Sequence, residues 1–134
     1  MRVAFYLAGP PVPKARARSG KGGRHYTPQR TRDYERSVGR AGLAARLGLA
    51  GSWPTDARYA LVVTATPRDR RTFDASNLLK SIEDGLNGIL WADDRQIKDT
   101  RCVITEPDKD HPHVHIAVSV IEQDTGPAAE AADA

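Results

Sequence analysis

The sequence predicts a single compact α+β domain, a mixed sheet packed by two helices in the order β-α-β-α-β-β. Three observations predict it. Apolar runs of strand length recur at residues 2–8, 59–66, 101–106 and 114–121, bounded by Gly, Pro and Asp. Two longer stretches place apolar residues at the helical period. Strand and helix alternate first and two strands then follow in succession, which calls for parallel and antiparallel neighbours in one sheet. With 134 residues the chain suits one domain. That domain spans residues 1–122, and the Ala/Asp/Glu-rich stretch 123–134 reads as a disordered tail.

Each element has its own signal. Residues 2–8 form the first strand, and the Pro/Gly/basic stretch 9–23 a loop. Thr27 can cap a helix whose first position is Pro28 and whose end lies near Leu47. Tyr34, Val38, Ala41 and Ala45 make its core stripe, opposite Arg32, Arg36 and Arg40. Residues 59–66 show little polar alternation, so they predict a central strand covered on both faces. Ser76 is a good N-cap for a second helix, with Leu78, Leu79, Ile82, Leu86 and Ile89 on one face. Asn77, Lys80, Ser81 and Asp84 fall on the other, and Gly88 can end the helix. Trp91 follows the apolar face and reads as core. The link Pro107-Asp108-Lys109-Asp110 fits an antiparallel hairpin between the last two strands.

Function is concentrated around the second helix. Asp74 precedes it, Glu83 and Asp84 lie within it, and Asp93-Asp94 follow it, with Lys80 among them. Arg68, Arg70 and Arg71 lead into it. Carboxylates hold divalent cations and neighbouring bases hold a nucleic-acid backbone, the pairing a metal-dependent phosphodiesterase needs. A solvated helix with a Lys80–Asp84 i,i+4 pair is the structural alternative. The strand-helix-strand order is expected to bring the end of the 59–66 strand, the start of the acidic helix and the Asp93-Asp94 loop together. Charge is asymmetric. Residues 14–40 contain nine Lys/Arg against Asp33 and Glu35, a local +7 in a chain of net +3. The remainder is therefore −4, and a basic region faces an acidic centre.

These motifs resemble the RusA-type Holliday junction resolvases, crossover junction endodeoxyribonucleases. The resemblance rests on Asp74-Ala-Ser76-Asn77-Leu78-Leu79-Lys80 and then Asp93-Asp94-Arg-Gln-Ile97. It extends to Pro11-Val-Pro13-Lys14-Ala-Arg16-Ala-Arg18, Tyr26-Thr27-Pro28 and Tyr34-Glu35, nearly the whole chain. It implies a magnesium-dependent endonuclease that resolves four-way DNA junctions by paired symmetric cuts. Asp74, Lys80 and Asp94 would be catalytic, with Asp74 and Asp94 as metal ligands and Asp93 and Asp84 as further ligands. Ser76 and Asn77 would support the site. Lys14, Arg16, Arg18, Lys21, Arg24, Arg68, Arg70 and Arg71 would contact DNA. A junction has approximate two-fold symmetry, so a homodimer is the implied partner arrangement. One position departs from the pattern, for Ser76 stands where the family carries a second aspartate. Two further readings follow: a DNA-binding module of the same fold without catalysis, and a flap or fork nuclease.

Other features carry less. One cysteine, Cys102, excludes an intramolecular disulfide and sits in an apolar run, the setting of a buried thiol. His111, His113 and His115 alternate along a strand and read as a polar face. His25 is expected at the surface. No glycine-rich loop leads into a Lys-Ser/Thr pair, which excludes a P-loop nucleotide hydrolase. No signal segment opens the chain and no apolar stretch is long enough to span a bilayer, so a cytoplasmic protein free of membrane is expected.

Overall fold

A computed structural model describes residues 1–15, 18, 19, 23, 25–71 and 73–122, with Arg18, Ser19, His25 and Tyr26 described by backbone alone. The elements are β1 (Arg2–Ala8), β2 (Arg18–Ser19), β3 (His25–Tyr26), α1 (Gln29–Leu47), β4 (Arg58–Thr66), α2 (Ala75–Leu86), β5 (Ile97–Ile104) and β6 (His113–Ile121). A four-stranded sheet in the order β1-β6-β4-β5 carries both helices on one face, so the expected α+β architecture is present. Strand β2, inside the 9–23 stretch expected to be a loop, pairs antiparallel with β3 just beyond that stretch. The 123–134 stretch lies outside the described residues. Among the described residues no helix is long and apolar enough to cross a membrane.

Three expectations about the sheet change. Strands β5 and β6 do not form a hairpin, because β4 lies between them. Strand β5 pairs parallel to β4, from Tyr59↔Ile97 to Ala65↔Ile104, and β6 pairs antiparallel to both β4 and β1. The 105–112 link thus crosses one strand. Strand β5 also begins at Ile97, well before the expected 101, since polar Lys98, Asp99 and Thr100 are tolerated on an exposed edge. Strand β4 is central but covered on one face only. Tyr59, Leu61, Val63 and Ala65 are fully buried against the helices, whereas Val62 is 37% exposed on the open face.

The core gathers Val3 and Phe5 of β1, Tyr34 and Val38 of α1, Leu78, Ile82 and Leu86 of α2, and Val114, Ile116 and Val118 of β6. Trp91 is fully buried as expected, tilted against Tyr59 at 5.8 Å. Trp53 stacks on the same tyrosine and donates from Nε1 to the Leu90 carbonyl at 2.7 Å. Helix starts shift slightly from the expectation. Pro28 itself occupies the N-cap of α1, and no side chain caps that end. Asp74, not Ser76, caps α2, because its Oδ1 accepts from Ser76 N at 2.8 Å.

The two helices approach closely, and glycine allows it. A Cβ on Gly85 would stand 2.7 Å from the Glu35 carbonyl oxygen and 3.0 Å from Val38 Cβ. A Cβ on Gly39 would meet the Gly85 carbonyl at 2.9 Å. This crossing sets Glu35 of α1 beside the polar ridge of α2, which is the first step in building the site.

Candidate active site

The segment after β1 folds across the polar ridge of α2. Lys14 N donates to the Asn77 carbonyl at 2.8 Å, and Ser81 Oγ donates to the Val12 carbonyl at 2.7 Å. Ser81 is consequently buried, although helical periodicity placed it on the solvent side. Gln96 fixes the other flank. Its Nε2 donates to the Thr55 and Ala57 carbonyls at 2.9 Å each, while its Oε1 accepts from Asp93 N.

Between these anchors runs an alternating chain of charge: Glu35, Lys14, Asp84, Lys80, Asp94. Lys14 Nζ is 3.0 Å from Glu35 Oε1 and 2.5 Å from Asp84 Oδ2. Lys80 Nζ is 3.4 Å from Asp84 Oδ1 and 3.4 Å from Asp94 Oδ2. Those two carboxylate oxygens thus lie within twice 3.4 Å of each other. Burial alone would lower the Lys14 pKa, yet its hydrogen bonds to Asp84 and Glu35 and their charges outweigh that and raise it. The charge of Asp84 is the main cause that raises Lys80, helped by hydrogen bonds to Asp84 and Asp94 against some burial. Both ammonium groups therefore stay charged at neutral pH. Glu83 joins the cluster from the half-buried side. Burial pushes its carboxyl above the usual range, Lys80 opposes this, and Asp94 and Asp84 add to it.

Asp74 and Asp84 stand near opposite ends of α2. Asp74 is exposed at the start of α2, ten residues before Asp84, which is about 15 Å along a helix axis. Helix α2 starts beyond the carboxyl end of β4 and must return the chain to the amino end of β5, beside Tyr59. Asp94 of the Asp93-Asp94 loop meets α2 at Lys80, six residues past Asp74 and about 9 Å further along the axis. Asp93 forks to Arg95, through Oδ1 to Nε at 3.2 Å and Oδ2 to Nη2 at 3.1 Å. The hydrogen bonds from the Arg95 side chain and backbone hold its carboxyl down at about 2.

Among the described residues no three His, Cys, Asp or Glu side chains stand close enough to enclose an ion. The donors nevertheless suit a hard cation. Asp84 has both oxygens on lysines and Asp93 has both on Arg95. Asp74 uses Oδ1 for its cap and Asp94 uses Oδ2 for Lys80. Each of the latter two thus keeps one oxygen without a hydrogen bond from the described residues. Magnesium keeps several waters and takes only one or two carboxylates, so exposed oxygens of this kind fit it.

The basic residues divide into three groups. Lys14 is committed to Glu35 and Asp84, which sequence reasoning did not foresee. Arg68, Arg70 and Arg71 are exposed, Arg70 pairing with Glu106 at 3.1 Å and Arg71 with Asp69 at 3.8 Å. Surface pairs of that kind are weak and leave the guanidinium available to phosphate. Arg16, Lys21, Arg24 and the Arg18 side chain lie outside the described residues. Asn77 and Ser76 are exposed on the first turn of α2. Sequence reasoning assigned no site role to Glu35, named only within the Tyr34-Glu35 motif, or to Glu83 of the acidic run. Glu35 is 21 positions from Lys14, and only the helix crossing reveals its place.

Comparison with known proteins adds one result. The family model described as Endodeoxyribonuclease RusA matches residues 8–119 of the 134-residue chain, spanning the loop after β1, both helices and the Asp93-Asp94 loop. No curated protein matches the chain.

Proposed function

Because the chain belongs to the RusA family of Holliday junction-resolving endodeoxyribonucleases, we propose that it cuts four-way DNA junctions by magnesium-dependent, paired phosphodiester hydrolysis as a homodimer. The observation that carries the reading is Lys80, half-exposed and held between Asp84 and Asp94. An ammonium with a raised pKa keeps its protons, so Lys80 donates to a phosphate oxygen and does not act as a base. The charge chain behind it fixes its position through Asp84 and Lys14.

Asp74 and Asp94 are the proposed metal carboxylates, each completed by water, with Asp93 and Asp84 as their supports. A bound magnesium ion supplies Lewis acidity at the scissile phosphate and lowers the pKa of its water. Asp94 sits next to Lys80, so a phosphate drawn to the ammonium meets a carboxylate of the hydrolytic set. Arg68, Arg70 and Arg71 take flanking phosphates near the start of α2. Two copies related by a two-fold axis present two equivalent sites, which suits the symmetry of a junction.

The test is incubation of purified protein with an end-labelled mobile four-way junction, with and without magnesium, beside fork, flap and linear duplex controls. Paired nicks on the junction that require magnesium are expected. Junction binding without cleavage at any magnesium concentration favours the DNA-binding module. Cleavage of forks or flaps in preference to junctions favours the alternative nuclease.

A further inference from the structure

Two small cavities lie side by side beyond the carboxyl ends of the parallel strands β4 and β5, where open α/β sheets commonly take ligands. Their volumes are about 240 and 230 Å³. Both fall below the roughly 300 Å³ at which drug-sized pockets begin. Pro67, Asp69, Arg71 and Phe73 line both, so they are the common wall. Prolines 10, 11 and 13 close the far side of the first cavity, with Arg30 and Arg68 at its rim. Ile104 and Pro107 close the second, with Arg70 and Glu106.

The walls are fastened. Lys14 N on Asn77 holds the proline segment against α2. Thr105 N donates to the Ala65 carbonyl at 2.8 Å and Asp108 N to the Pro67 carbonyl at 2.9 Å, which hold the second rim against the end of β4. Phe73 packs partly on the core and directly precedes Asp74. Nothing in the hydrolytic chemistry uses an aromatic ring there.

We infer that Phe73 is a base-stacking partition: two neighbouring bases unstacked at a DNA branch point enter the two cavities, one on either side of it. Apolar walls and an aromatic ring are how proteins hold splayed bases, and guanidinium groups at the rim meet the phosphates those bases carry. Apolar side chains inserted between base steps also kink the helix, and a branch lowers the cost because its bases are already less stacked. The partition thereby sets which phosphates lie near Asp74. The inference rests on the junction-resolvase reading and adds a means of recognising the branch.

The test is photocrosslinking of the wild-type protein to four-way junctions carrying 5-iodouracil at single positions around the branch, with peptide mapping. Crosslinks to Phe73 are expected from positions at the branch and not from the same sequence in linear duplex. Phe73→Leu keeps apolar packing and removes the ring. It should lose that crosslink and bind junctions about tenfold more weakly, the change expected for loss of a stacked base. Phe73→Tyr should retain both properties. Mapping of branch crosslinks only to other residues, or wild-type junction affinity in a folded Phe73→Leu variant, overturns the inference. The mapping needs no variant, so it stands even if Phe73→Leu does not fold. Magnesium-dependent cleavage without a Phe73 crosslink leaves the nuclease reading intact, whereas failure to bind junctions at all removes both.

Discussion

Lys14 and Asp84 stand 70 positions apart in the chain and meet at 2.5 Å, with Glu35 on the other side of the same ammonium. A lysine in a basic loop would ordinarily be counted as a phosphate contact. Here its charge is already spent on two carboxylates. Replacing Lys14 by Met should destabilise the fold by about 1–2 kcal/mol, in line with loss of charged hydrogen bonds at a partly exposed site. Urea unfolding measures it. The salt dependence of DNA binding separates the two roles. Arg68→Ala should reduce the log–log slope by about 0.9, the share of one phosphate contact, and Lys14→Met should leave it nearly unchanged. Equal losses of slope would return Lys14 to the DNA-binding set.

Gly85 is the contact that lets α1 and α2 build this network. Gly85→Ala places a methyl 2.7 Å from the Glu35 carbonyl oxygen, a backbone atom that cannot rotate away. Overpacking of this kind costs about 1–3 kcal/mol. It also moves Glu35 off Lys14, so junction cleavage should fall even at temperatures where the variant stays folded. A melting temperature equal to wild type would show that the crossing is looser than described.

The fold was largely legible because its elements announce themselves locally. The buried stripe of Leu78, Ile82 and Leu86 follows from period alone, and Trp91 from its place after that stripe. One error has a plain cause. The 107–110 link looks like a hairpin turn because nearness in sequence is taken for nearness in space. The parallel pairing of β4 with β5 overrules that reading, for it sets β4 between the last two strands. Ser81 shows the converse. Its polar character and helical angle pointed to solvent, and only the return of Val12 across the ridge buries it.

Of Asp74, Asp84, Asp93 and Asp94, it is Asp74 and Asp94 that keep an oxygen without a hydrogen bond from the described residues. Asp74→Asn and Asp94→Asn should each abolish junction cleavage while junction binding persists, since a carboxamide keeps the shape and loses the charge. Asp93→Asn should reduce activity without abolishing it, because Asp93 is taken up by Arg95 and shapes the loop that carries Asp94. Gel-shift and cleavage assays on the same preparations distinguish lost chemistry from lost binding. Full cleavage by both Asp74→Asn and Asp94→Asn would remove the proposed site.

Ser76 is where the resemblance places a second aspartate, and its neighbours bear on what a serine does there. Asp84 lies eight residues further along α2, about 12 Å along the axis, with both oxygens on lysines. It is poorly placed to supply the carboxylate that Ser76 lacks. Ser76 itself is exposed on the first turn, one residue past Ala75 and near Asp74. A carboxylate there faces the positive end of the helix, so Ser76→Asp should stabilise the fold slightly, by about 0.3–1 kcal/mol. It should also lower the magnesium concentration for half-maximal cleavage by adding an anionic oxygen beside Asp74. The Asp84→Asn variant should not be rescued by Ser76→Asp, because the two positions serve different ends of the helix. A magnesium titration of the wild type, both single variants and the double variant decides the matter. Rescue in the double variant would mean that Asp84 does stand in for the missing acid, and an unchanged magnesium requirement in Ser76→Asp would place the metal away from the start of α2.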